Sequence, residues 1–139
     1  MKLWTAVLFA FGIMLGGAVT PVLAGDADPL FVNLTSDEGH RANMALDFGT
    51  KQMGRGHPLT VFLNDRAVLV ASKANTAKFA EQQKKIEELI SKKALVIACP
   101  FCMRHYGVQE SDLLPGIQVG NPELTGNTLF KDGTKTMSW

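Results

Sequence analysis

Ala94-Leu95-Val96-Ile97-Ala98-Cys99-Pro100-Phe101-Cys102 is the stretch on which the fold turns. Its five leading residues are apolar without alternation, which suits a strand covered on both faces, as in a parallel sheet sandwiched by helices. Pro100 is a favoured first residue of a helix. Strand and helix therefore meet at Cys99, and a short helix is expected from Pro100.

Working upstream, Pro29-Leu30-Phe31-Val32-Asn33-Leu34 reads as a first strand. Thr35 or Ser36 can cap the helix that follows, with Asp37 and Glu38 in its first turn, where the helix dipole favours acids. Ala42, Ala45, Leu46, Gly49 and Met53 then share one helical face, and Gly54-Arg55-Gly56 ends the segment. Leu59-Thr60-Val61-Phe62-Leu63 is a second strand. Residues 65–77 fit either a loop over the top of the sheet or a short helix. Lys78 to Lys93 is helical, with Phe79, Ile86, Leu89 and Ile90 as its apolar stripe and Glu81 placed four residues before Lys85. Downstream, Pro115-Gly116 turns the chain into a short strand, Ile117-Gln118-Val119. Pro122 to Phe130 reads as a short helix interrupted by Gly126, and Thr134 to Trp139 as a last strand. The expectation is a single α/β domain over 25–139. It has a mostly parallel, doubly wound sheet of about five strands, helices on both faces and the third strand central.

The N-terminal end carries a different signal. Lys2 is the only charge before Asp26, the following residues are apolar or small, and Val22-Leu23-Ala24 supplies small residues for a signal peptidase. Residues 1–24 are expected to be a secretory signal peptide, which makes the mature protein periplasmic or secreted. A retained anchor is the rival, since residues 3–20 carry no charge, but Gly12, Gly16, Gly17 and Pro21 break that run. After cleavage no stable membrane insertion is expected. The whole chain has 14 Lys and Arg against 13 Asp and Glu, so loss of Lys2 leaves the mature part formally neutral. A neutral chain without a basic stripe does not suit nucleic acid, and no basic amphipathic helix suits a membrane surface.

Both cysteines fall in the mature part, as Cys99 and Cys102. An exported compartment permits a disulfide, yet so short a loop gives little stability, so the pair points to chemistry. Cys99 as N-cap would place its sulfur near unpaired N–H groups and the positive end of a helix dipole, which lowers a thiol pKa and activates the thiolate. Cys102, in the first turn, is placed to resolve a mixed disulfide or persulfide on Cys99. Arg104 and His105 follow on the same short helix and could add positive charge or a proton relay. His40 could line the same strand-end rim, while His57, between Gly56 and Pro58, reads as a loop residue. Asn64 and Asp65 end the second strand and serve either a turn or the rim of a site. The motif's letters alone suit a glutaredoxin, but there the pair follows the first or second strand rather than a third. Attachment of a c-type haem needs His after the second cysteine, where this chain has Met103. One Cys-x-x-Cys without a second pair is a weak metal signal. No cofactor or metal site is assigned. A non-catalytic binding module for Cu(I), zinc or a small sulfur-containing ligand is the alternative.

Four segments in order resemble the DsrE/DsrF-like family, which includes proteins of the TusD and YchN types. They are Leu30-Phe31-Val32-Asn33-Leu34-Thr35-Ser36, Val61-Phe62-Leu63-Asn64-Asp65-Arg66-Ala67-Val68, Ala94 to Cys102, and Gly107-Val108 leading to Leu114-Pro115-Gly116. The resemblance spans residues 29–139. It implies a parallel α/β sheet, assembly into trimers or hexamers, and a persulfide carried on the strand-end cysteine, which is Cys99 here. Partners would be a sulfur donor or acceptor protein, or a small thiol. Two features depart from the relay proteins of that family: those are cytoplasmic, and the simplest carriers do not need a second thiol such as Cys102.

Overall fold

The computed structural model describes residue 25 and residues 27–139. The expected signal peptide, residues 1–24, lies outside the described residues. The remainder alternates strand and helix as the apolar periodicities require. Strand β1 is Leu30–Leu34, helix α1 Gly39–Gly54 and strand β2 Leu59–Leu63. A 3-10 turn at Asp65–Leu69 and another at Lys73–Asn75 lead into helix α2, Thr76–Ser91. Strand β3, Leu95–Ala98, runs directly into helix α3, Pro100–Tyr106. Strand β4 is Gln118–Val119, helix α4 Pro122–Leu129 and strand β5 Lys135–Ser138.

The five strands form one sheet in the order β4-β3-β2-β1-β5, every neighbouring pair parallel. The middle strand is thus β2 rather than β3. The last strand returns beside β1 and widens the sheet on that side. β3 is still flanked on both edges, which accounts for its continuous apolar run.

Alternate residues divide the two faces of the sheet. Leu30, Val32, Leu34, Leu59, Val61, Leu63, Val96 and Ala98 belong to one buried cluster with Ala42, Ala45 and Leu46 of α1 and Ile86 and Leu89 of α2. The small residues on α1 allow close approach: a Cβ on Gly49 would stand 3.0 Å from Leu59 Cδ2. The opposite face, with Phe31, Asn33, Phe62 and Ile97, has α4 laid across it, with Thr125 and Leu129 turned toward Phe31 and Phe62. This shorter helix leaves a cleft along the strands.

Three local expectations are corrected. Helix α1 is capped by Glu38, not by Thr35 or Ser36, because those hydroxyls are engaged elsewhere. Thr35 donates to Trp139 O at 2.6 Å, and Ser36 Oγ accepts from Glu38 N at 3.0 Å. The Glu38 carboxylate takes the His40 and Arg41 N–H groups at 2.9 and 2.8 Å. Asp37 and Glu38 therefore precede the helix rather than filling its first turn. Residues 65–77 are neither a plain loop nor one helix but two 3-10 turns running into α2. Gly126 does not interrupt α4, whose ladder continues through Phe130 N to Gly126 O at 2.8 Å. A mid-helix glycine costs only about 1 kcal/mol.

Burial separates residues that look alike in the sequence. Leu46 is fully buried against the sheet, whereas Met44, two positions earlier, is half exposed. Leu46→Ala should lower unfolding stability by about 3 kcal/mol in urea titration. Met44→Ala should change it by less than about 0.5 kcal/mol.

Candidate functional site

Parallel register brings the carboxyl ends of β2 and β3 side by side, with Leu63 opposite Ala98. The ladder runs one step further, Cys99 N donating to Leu63 O at 2.9 Å. Asn64 and Cys99, each the first residue past its strand, are thereby held next to one another. The chain then turns into α3 with Cys99 as N-cap in an extended conformation, as expected, its Sγ accepting from Cys102 N at 3.4 Å. One helical turn returns Cys102 over Cys99, and the two sulfurs stand 2.7 Å apart. That is inside van der Waals contact, so little motion separates this arrangement from a covalent bond of about 2.05 Å.

The two thiols face different surroundings. Cys99 is 8% exposed and lines a cleft of about 200 Å³ with Phe62, Pro100, Phe101, Gly120, Asn121, Pro122 and Thr125. The backbone of Gly120 closes that cleft, Gly120 N donating to Ala98 O at 2.8 Å. A Cβ there would stand 3.0 Å from Ile97 Cγ2 and 3.3 Å from Ala98 O. Cys102 turns to the other side, toward the loop after β2. Its Sγ lies 3.0 Å from Asn64 Oδ1 and 3.1 Å from Asp65 N. Asp65 N also donates to Asn64 Oδ1 at 2.9 Å, which fixes the amide with its oxygen toward the thiol. A carbonyl oxygen can only accept, so this contact favours Cys102 as S–H. Burial, followed by the hydrogen bond with Cys99, pushes the Cys102 thiol up to about 11, outweighing the Asp65 N–H that favours the thiolate.

Asp65 is held with φ +45°, a left-handed conformation uncommon outside glycine though tolerated by Asp. Its carboxylate accepts from Tyr106 OH, tying the end of α3 to this turn. Asp65 therefore steadies Cys102 through its backbone and α3 through its side chain. Arg66 lies 5.8 Å from the Tyr106 ring and bridges to Asp37, at 2.7 and 3.0 Å from the two carboxylate oxygens. Lys78 reaches the same carboxylate at 3.1 Å. Hydrogen bonding from Arg66, above all, and from Lys78 holds the Asp37 carboxyl down at about 2.

Of the residues singled out from sequence, Cys99, Cys102 and Asn64 come together. His105 stacks edge-on against Tyr106 with ring centroids 4.7 Å apart, and Arg104 lies 4.5 Å from the Phe101 ring. Both are exposed, and neither has a hydrogen bond to a sulfur among the described residues. His40 is exposed in the first turn of α1, and His57 Nδ1–H donates to Asp28 O at 2.8 Å, far from the motif in the chain. Asp65, named with Asn64 as a turn or rim residue, joins them through its N–H to Cys102 Sγ, and Tyr106 with the cleft residues Phe62, Asn121 and Thr125 completes the site beyond that expectation. Asn64-Asp65 had a signal, as a polar pair at a strand end. The cleft residues had none, because α4 reaches them only through the tertiary fold. Among the described residues no set of three or more His, Cys, Asp or Glu side chains converges as a metal cluster. No described helix is long and apolar enough to cross a membrane.

The family model for the DsrE/DsrF-like family matches residues 30–135. The chain belongs to that family. Three solved structures share the fold of this DsrE-family chain. MTH1491 from Methanobacterium thermoautotrophicum, a protein of unknown function, superposes with a TM-score of 0.65 at 15% identity, covering 80% of this chain and 98% of that one. BT1422 from Bacteroides thetaiotaomicron, also of unknown function, gives 0.58 at 22% identity, covering 81% and 95%. The ychN protein of E. coli gives 0.58 at 18% identity, covering 81% and 99%. A search of curated proteins found no match.

Two outcomes follow from the electrostatics of this DsrE-family site. In a Cys99→Ala variant, alkylation of Cys102 by iodoacetamide should be slow at pH 8 and rise steeply only above about pH 9, since burial remains after Cys99 is lost. Asp37 has a folded pKa below its ordinary value of 3.8, so its ion pairs stabilise the protein above about pH 4 and are lost as pH falls toward 2. Asp37→Asn should lower stability by about 1–2 kcal/mol at pH 6, measured by urea unfolding, and that gap should close by about pH 2.

Proposed function

We propose that this DsrE-family protein is exported and works in sulfur trafficking or thiol redox, with Cys99 as the nucleophile and Cys102 as the resolving thiol. The observation that carries the reading is the contrast between the paired sulfurs. Cys99 opens on a cleft at a helix N-terminus, and Cys102, 2.7 Å behind it, is held as a thiol. The cysteine that lines the cleft meets the sulfur donor, and the one held as a thiol follows, which divides the labour between them.

The chemistry balances with a persulfide donor R–S–SH. The Cys99 thiolate attacks the terminal sulfur, a bond forms to that sulfur, the donor S–S bond breaks, and RS⁻ leaves with the electron pair. Cys99 then holds one extra sulfur atom. That sulfur can pass to an acceptor thiol. Alternatively Cys102 attacks Cys99 Sγ, forming the Cys99–Cys102 disulfide and releasing sulfide, which takes up the thiol proton. The second route reduces the carried sulfur by two electrons, and an external thiol must restore the dithiol. The short sulfur contact favours a thiol-redox reading as the second choice, in which a disulfide substrate replaces the persulfide. Partners suited to either route are a sulfur donor or acceptor protein, or a small thiol. Self-assembly, which the family resemblance implies, belongs to the same proposal.

Intact mass measures both routes. After reduction and exposure to a persulfide donor, Cys102→Ala should gain the mass of one sulfur atom and Cys99→Ala should not. Wild type should show either that gain or the loss of two hydrogens that marks the disulfide. Uptake that survives in Cys99→Ala, or no change in any of the three proteins, would overturn the proposal.

A further inference from the structure

The cleft in front of Cys99 continues beyond it. A second hollow, of about 290 Å³, shares Phe62 and Thr125 with the first and runs between α4 and the strands to β1 and β5. Its lining adds Phe31, Asn33, Asn64, Leu129, Thr136 and Ser138. Across both hollows no lining residue carries a charge. Charged groups near the motif stand on the Cys102 side instead, where Arg66 and Lys78 are committed to Asp37. Arg104 is stacked on Phe101 and is not a lining residue.

The two helix N-termini facing the cleft do not make up for this. Both open with proline, Pro100 and Pro122, which have no N–H to offer. Cys102 N–H is given to Cys99 Sγ, and Leu124 N–H to Asn121 Oδ1 at 2.7 Å. One N–H remains on each helix, at Phe101 and Glu123, in place of the several that cradle an anion at helix termini. The far floor is polar but neutral. Asn33 Nδ2 reaches Ser138 Oγ at 3.4 Å, and Asn33 Oδ1 has no partner among the described residues.

We infer that this cleft selects organic sulfur compounds, R–S–S–R or R–S–SH, whose body R is uncharged, over sulfur oxyanions and charged thiol derivatives. Placing a carboxylate or an ammonium against Phe62, Phe31 and Pro122 removes its water and returns no opposite charge. An uncharged body keeps its apolar contact, and hydroxyl or amide groups on it find Asn33, Asn64, Thr136 and Ser138. The inference rests on Cys99 as the nucleophile and adds the substrate class. With a disulfide probe, the Cys99 thiolate attacks one sulfur, the Cys99–S bond forms, the probe S–S bond breaks, and RS⁻ leaves to be protonated by water.

Mixed-disulfide formation tests it, in Cys102→Ala so that the adduct persists. Three probes of similar size are compared: bis(2-hydroxyethyl) disulfide, dithiodiglycolate and cystamine. Each rate is followed by intact mass and divided by the rate of the same probe with a cysteine in an unstructured peptide of matched charge. The neutral probe should lead both charged ones by about tenfold, a difference of about 1.4 kcal/mol in barrier. Thr125→Lys should raise dithiodiglycolate relative to cystamine by several-fold. Thr136→Lys, at an exposed position on β5, provides the same charge where Thr125→Lys does not fold. Equal normalised rates, or a lead for either charged probe, would overturn the substrate class while leaving Cys99 as nucleophile intact. Absence of any Cys99 adduct would instead overturn the proposed function.

Discussion

The hydrogen bond from Cys99 N–H to Leu63 C=O carries the parallel ladder one residue beyond β2 and β3. Without that step the first residues after the two strands would be free to diverge. With it, Asn64 and Cys99 are neighbours, and the turn of α3 has one place to deliver Cys102. Buried Leu63 and Ala98 beneath them anchor the pair to the core, so site geometry and folding draw on the same packing. The same end of the sheet is knit on each side, through Asn64 N to Leu34 O and Gly120 N to Ala98 O. Functional groups past the carboxyl ends of parallel strands are thus held by backbone bonds rather than by long side chains.

Much of this was legible in the sequence because the signals were local. Strand β3 followed by Cys99-Pro100 specified both the strand end and the helix start, and the helix begins where Pro100 places it. The extent of β2 and the apolar stripe of α2 were readable for the same reason. What was not legible depended on competition between distant groups. Thr35 looks like a cap until Trp139, from the other end of the chain, takes its hydroxyl. Asp37 looks like a first-turn acid until Arg66 and Lys78 claim it. The rank of β3 in the sheet depended on where β5 returned, which no local pattern encodes.

The site divides along the same line. Cys99 and Cys102 announce themselves by spacing, but spacing does not say how their surroundings differ. That is decided by β2, a strand distant in sequence, which sends Asn64 and Asp65 to the back of Cys102. Asp65 adopts a left-handed backbone there, and such a conformation costs on the order of 1 kcal/mol for a residue other than glycine. The cost is offset where Asp65 N–H meets both Asn64 Oδ1 and Cys102 Sγ, and where its carboxylate receives Tyr106 OH. Strain and hydrogen bonding converge on the turn that touches Cys102.

A charge gradient follows from this arrangement. Asp65, Arg66, Asp37 and Lys78 form a charged wall behind Cys102, while the cleft before Cys99 is lined by apolar and neutral polar groups. In a site of low polarity a buried charge without a partner is costly, and Asp37 has its partners in Arg66 and Lys78. Cys102 has the Asn64 amide oxygen to accept its proton, while Cys99 faces the cleft at the start of α3. The fold itself thus gives the two sulfurs unlike surroundings. A Cys-x-x-Cys pair on a helix N-terminus gains reactivity from the helix. It gains a front and a back only from the strand beside it.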